Sequence, residues 1–170
     1  MSENDRSFCE DTALEERAVA LLLECGFTLT TAESCTAGLL AGRVMNVAGA
    51  SAVYNEGYIT YSNEAKERVL NVRPETLEKY GAVSSQTACE MAQGAALVAN
   101  ADAALSVTGI AGPGGGTKEK PVGLVYIGCY LQGKVCAKEF RFSGNRAENR
   151  SSAVSEALKF LLQSMEEMSV

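Results

Sequence analysis

FTLTTAESCTAGLLAGRVMNV, residues 27–47, holds two patterns in succession. Phe27–Thr31 is short and rich in β-branched and aromatic residues, the composition of a strand. Ser34–Val47 reads as a helix, and its small residues Ala37, Gly38, Ala41 and Gly42 permit close packing against a neighbour. A strand that passes directly into a helix is the repeating unit of a layered α/β fold.

The same alternation continues on both sides. Residues 1–10 read as a frayed tail. Thr12–Cys25 carries Leu14, Val19, Leu22 and Leu23 at helical spacing, with Gly26 as its stop. Val53–Tyr61 reads as a second strand. Asn63 is placed to cap a short helix, Glu64–Leu70, and Pro74 opens another at its first position. Ser84–Ala99 is an alanine-rich helix and Ala103–Val107 a buried strand. Val122–Leu131 and Lys134–Phe142 alternate as strands around Gln132-Gly133, a hairpin turn. Arg146–Met165 closes the chain as an amphipathic helix. The expectation is one domain over residues 1–170: a three-layer α/β/α sandwich whose hairpin makes the β-sheet mixed and not purely parallel.

Composition narrows the function. The chain has 170 residues, 46 % hydrophobic and 21 % charged, with a net charge of −6, so it reads as globular. No basic footprint suggests nucleic acid as a partner. The polar, acidic start is wrong for a signal or transit peptide, and no apolar run is long enough for a membrane. A cytoplasmic location is expected, with the six cysteines reduced and mostly packed as small hydrophobes. No C-x-x-C pair occurs, and there is no histidine. Histidine-based nucleophilic catalysis and histidine metal ligands are therefore excluded, and acid–base chemistry falls to Lys, Tyr, Asp, Glu or Cys.

Three segments carry candidate chemistry. In TAESCTAG (31–38), Ser34 stands where the strand hands over to the helix. Backbone N–H groups there would stabilise an oxyanion. The plainer reading is a helix N-cap, and Cys35 is a rival nucleophile whose thiol the same helix end would acidify. In YITYSNEAK (58–66), Lys66 falls in the first turn of a helix, where the dipole disfavours a cation. Together with burial, this would make it a neutral amine able to activate a serine. A solvated surface lysine is the commoner fate. Tyr61 would relay a proton or be a half-buried sheet residue. TGIAGPGGGT (108–117) holds five of the sixteen glycines and lets backbone N–H groups approach an anion, or is a surface loop. It is neither a Walker A nor a G-x-G-x-x-G sequence. Arg146 would meet a phosphate or be solvated.

Taken together, TAESCTAG, GASAVYNEGYITYSNEAK, GAVSSQTACEMAQGA, TGIAGPGGGTKEKPVG and FSGNR closely resemble the CinA C-terminal domain family, from about Leu14 to the last helix. The family includes nicotinamide-nucleotide amidases, which convert nicotinamide mononucleotide to nicotinic acid mononucleotide and ammonia in pyridine nucleotide salvage. The resemblance implies Ser34 as nucleophile, Lys66 as its partner and Tyr61 as an active-site tyrosine. It implies that Gly49 and Ser51 line the substrate pocket, that Thr108 and Gly109 belong to a ligand-binding loop, and that Arg146 meets the phosphate. Ala37 stands where many members carry a glycine. Members often have a separate domain before this one, which this sequence does not show, so a stand-alone form is expected here. No metal or organic cofactor is expected. The expected partner is a small-molecule nucleotide substrate, with a homodimer or higher homo-oligomer as the assembly. The alternatives are a non-catalytic nucleotide-binding or regulatory module, or a metal-dependent phosphatase, which would need a carboxylate cluster that the sequence does not offer.

Overall fold

The computed structural model describes the backbone of residues 3–168 and the side chains of residues 14–168. Of the tail expected over residues 1–10, residues 1 and 2 lie outside the described residues, and the backbone from Glu3 onward is helical instead. Helix α1, Glu3–Cys25, begins before Thr12, where the apolar spacing first shows. Five strands form one sheet in the order β2-β1-β3-β4-β5. They are β1 (Leu29–Glu33), β2 (Tyr58–Ile59), β3 (Ala103–Gly109), β4 (Leu124–Leu131) and β5 (Lys134–Arg141). β1 pairs in parallel with β2 and β3, while β3–β4 and β4–β5 are antiparallel. The sheet is therefore mixed, and the hairpin turns at Gln132 and Gly133, both with positive φ, as a two-residue turn that matches strand twist requires.

Helices cover both faces. One core joins α1, α2 (Leu39–Met45) and α6 (Arg146–Met168) to Leu29, Leu105, Val107, Val125 and Ile127. The other joins α3 (Asn63–Leu70), α4 (Pro74–Tyr80) and α5 (Ser85–Ala99) to Ala32 and Ala104. Odd and even positions of β3 thus face opposite layers, as the two-residue strand period demands. The result is the three-layer α/β/α sandwich. α5 lies close on the sheet: the Ser106 hydroxyl donates to the Ala88 carbonyl at 2.6 Å and accepts from the Gly128 N–H at 3.2 Å. A Cβ at Gly128 would collide with that same carbonyl.

Three local expectations are corrected. The helix expected from Ser34 begins at Leu39, because Ala37 and Gly38 have φ of 49° and 92° and left-handed residues interrupt a right-handed helix. The strand expected over Val53–Tyr61 shrinks to Tyr58–Ile59, with a 3-10 turn over Ala50–Ala52 and a single parallel bridge at Tyr54 before it. The α3 cap is Ser62, whose hydroxyl accepts from the Ala65 N–H, and Asn63 is the first helical residue.

Candidate active site

Ser34 leaves the carboxyl end of β1 between its two parallel neighbours. Its N–H donates to the Val107 carbonyl at 2.9 Å, and the Thr60 N–H donates to the Glu33 carbonyl at 2.9 Å. Both strands are thus tied to β1 beside the serine. Three residues after Thr60, α3 begins and turns back over the strand end. Lys66 enters one turn later, and its first-turn N–H donates to the Ser62 carbonyl.

This path sends the Lys66 side chain inward, where it is 0 % exposed. Its Nζ donates to the Thr60 carbonyl at 2.8 Å, the Ser34 Oγ at 3.2 Å and the Tyr61 carbonyl at 3.2 Å. No carboxylate touches it. Burial disfavours the ammonium and lowers its pKa to about 8, with the Cys35 thiol pulling weakly the other way. Burial, one of the two sources expected, is the cause of the depression. Arg68 is exposed and does not contribute. Glu64 is exposed and Glu67 partly buried.

Cys35 is buried, and desolvation pushes its thiol up to about 11. A thiol held protonated gains nothing from its position, and the amine contacts the Ser34 hydroxyl, not the Cys35 thiol. The N–H groups of α2 are not available as the sequence suggested. The buried Glu33 carboxylate accepts from Gly38 at 3.0 Å, Leu40 at 3.1 Å and Ala41 at 2.8 Å. A carboxylate out of water requires such donors, and the first turn of a helix supplies them. Sequence reading missed Glu33 because it reaches five to eight residues forward, across a turn that no local pattern announces.

The remaining candidates divide. Tyr61 is 63 % exposed, and it meets Lys66 through its main-chain carbonyl. Thr108 follows Val107 at the same sheet end as Ser34. Its hydroxyl, buried, donates to the Ala82 carbonyl at 2.8 Å. Gly109 allows β4 to approach, since a Cβ there would lie 2.6 Å from Val125 and 2.7 Å from the Leu124 carbonyl. Arg146, the first residue of α6, donates to the Gly112 carbonyl at 2.8 Å and so holds the base of the glycine-rich loop. Asn149, also missed, assists by donating to the Ala111 carbonyl at 3.1 Å.

Gly49 and Ser51 are not brought to Ser34. They are exposed beside the 3-10 turn, whose Val53 carbonyl accepts from the Leu29 N–H, at the opposite end of β1. Five residues of strand separate the two ends, about 16 Å at the usual rise.

The site is therefore a serine beside a fully buried lysine amine at the carboxyl ends of parallel strands, in an α/β sandwich. The family model for the CinA C-terminal domain matches residues 11–165, and the chain belongs to that family. A CinA-like protein of Kosmotoga olearia is 53 % identical over 155 residues, 91 % of this chain and 38 % of its own length. A putative competence-damage inducible protein of Alkaliphilus metalliredigens is 56 % identical over 151 residues, 89 % of this chain and 37 % of its own length. The chain thus spans well under half of these relatives. Solved structures agree in fold. The competence/damage inducible protein CihA of Agrobacterium tumefaciens is 44 % identical with a TM-score of 0.88, covering 92 % of this chain and 95 % of that one. A CinA superfamily protein of Klebsiella pneumoniae is 37 % identical with a TM-score of 0.89, covering 92 % and 98 %. Among the described residues, no helix is long and apolar enough to cross a membrane.

Proposed function

We propose that this domain is a serine amidohydrolase that hydrolyses the carboxamide of nicotinamide mononucleotide to nicotinic acid mononucleotide and ammonia. The observation that carries the reading is the 3.2 Å contact between Ser34 Oγ and a fully buried Lys66 Nζ. A neutral amine has two hydrogens and one lone pair. With the hydrogens given to the Thr60 and Tyr61 carbonyls, the lone pair is left for the Ser34 hydroxyl, the arrangement a general base needs. Ser34 then attacks the carboxamide carbon as Lys66 takes its proton. Lys66 returns that proton to the nitrogen of the tetrahedral intermediate, the C–N bond breaks, and ammonia leaves to give the acyl-enzyme. Water adds to the ester with Lys66 again as base, and the free acid and Ser34 are released. Arg146 and the glycine-rich loop, which it holds, supply donors for the substrate phosphate. No step needs a metal or organic cofactor.

The test is ammonia release from nicotinamide mononucleotide, with the acid product identified by mass. Wild type is expected to turn over in the presence of a chelator, and Ser34→Ala to be inactive while still binding substrate. Equal turnover by Ser34→Ala, or an inert wild type, overturns the proposal.

A further inference from the structure

With Gly38, Leu40 and Ala41 committed to Glu33, the donors for a developing oxyanion must come from elsewhere in the Ser34 turn. The Leu39 N–H is taken by the Thr36 carbonyl at 3.2 Å. Among the described residues, the N–H groups of Thr36 and Ala37 find no backbone or side-chain acceptor in hydrogen-bonding geometry.

What orients those two peptide units is an arginine from the last helix. Arg150 Nε donates to the Cys35 carbonyl at 2.9 Å, and its terminal Nη2 donates to the Thr36 carbonyl at 2.8 Å. A trans peptide is planar, with its C=O and N–H on opposite sides. Holding the Cys35 carbonyl toward α6 therefore directs the Thr36 N–H the other way. The Thr36 carbonyl does the same for the Ala37 N–H. The left-handed backbone at Ala37 belongs to this arrangement, for successive N–H groups converge in such turns. A guanidinium suits this position because its planar fork grips two carbonyls at once and keeps its charge. That charge polarises both peptide units and strengthens their N–H groups as donors.

We infer that Arg150 is a positioning residue, which builds the oxyanion-binding pair of Thr36 and Ala37 N–H groups by holding the two carbonyls on the reverse side of the Ser34 turn. The inference rests on the proposed hydrolase reading. It places Arg150 on the carbonyl side of the Ser34 turn, and what distinguishes it from Arg146, one helical turn earlier, is the segment each holds: the Ser34 turn for Arg150 and the glycine-rich loop for Arg146.

The experiment compares Arg150→Met and Arg150→Lys with wild type in two assays: deamidation of nicotinamide mononucleotide, and acylation of Ser34 by p-nitrophenyl acetate followed by mass. Loss of an oxyanion donor typically costs ~10²-fold or more in turnover. Arg150→Met is therefore expected to lower kcat and the acylation rate by roughly that factor, with KM within about twofold and the pH midpoint unmoved. Arg150→Lys keeps the charge and one hydrogen bond and should recover part of the loss. If Arg150→Met fails to fold, the lysine variant carries the test, with an expected ~10-fold drop in kcat alone. Wild-type kcat in a folded Arg150→Met or Arg150→Lys protein, or a loss confined to KM, overturns the inference and leaves the hydrolase reading standing. A wild type inert in both assays overturns the reading, and the inference with it.

Discussion

On the proposed reading, replacing Lys66 by arginine keeps a positive charge and removes the base. In wild type, burial brings the amine to a pKa of about 8 from its ordinary 10.5. At pH 7 about one molecule in ten then carries a neutral amine, against roughly one in three thousand for an ordinary lysine. Burial thus raises the working fraction by about 300-fold. The expected profile follows directly. kcat/KM for nicotinamide mononucleotide should rise tenfold per pH unit below about 7, bend near pH 8 and level off above it. Lys66→Arg should lose about 10³-fold in kcat at every pH, since a guanidinium stays protonated throughout the range. The assay is ammonia release from pH 6 to 10.5, with thermal unfolding recorded on the same samples. A wild-type midpoint near 10.5, a flat profile between pH 6 and 9, or a Lys66→Arg enzyme with wild-type turnover would refute the base assignment.

The same lysine makes stability depend on pH. Its folded pKa lies below the unfolded one, so between about pH 8 and 10.5 the unfolded chain binds more protons, and this group's contribution to stability should increase across that window and vanish as a slope in Lys66→Met. Denaturant unfolding at pH 7.5, 9 and 10.5 checks the sign. Cys35→Ala should retain most activity, because the buried thiol is held protonated near 11; ammonia release measures it. Glu33→Gln replaces one of the acceptor oxygens by a donor facing the α2 N–H groups, and should cost about 2 kcal/mol and lower Tm by roughly 4–8 °C. Arg146→Ala should raise KM for the mononucleotide and leave the rate with free nicotinamide unchanged, which steady-state kinetics on both substrates will show.

The layers were legible because their signals are local. The Gln132-Gly133 turn and its alternating flanks fix the hairpin, and apolar spacing marks α1, α5 and α6. The dyad was legible as two residue types in two motifs, and β1–β2 pairing explains why they meet. The start of α2 was not, since alanine ordinarily favours the right-handed region, and Ala37 adopts the left-handed one between a Thr36 carbonyl held by Arg150 and a Gly38 N–H held by Glu33. Lys66 sits among Glu64, Glu67 and Arg68, neighbours that suggest solvent. Its depth comes from the short path between Thr60 and α3, which no charge pattern encodes. Gly49 and Ser51 came from resemblance alone, and the fold places them at the far end of β1.

Position 94 gauges the thickness of the layer that carries Lys66. A Cβ on Gly94, in α5, would run into the carbonyl of Leu70, the last residue of α3. Backbone rests on backbone there, with nothing between to compress. Any larger residue would act as a shim, lifting α3 and Lys66 with it while Ser34 stays anchored to Val107. A bond of 3.2 Å tolerates little such play. The spacing of Ser34 and Lys66 is thus machined at a contact between two other residues, Gly94 and Leu70.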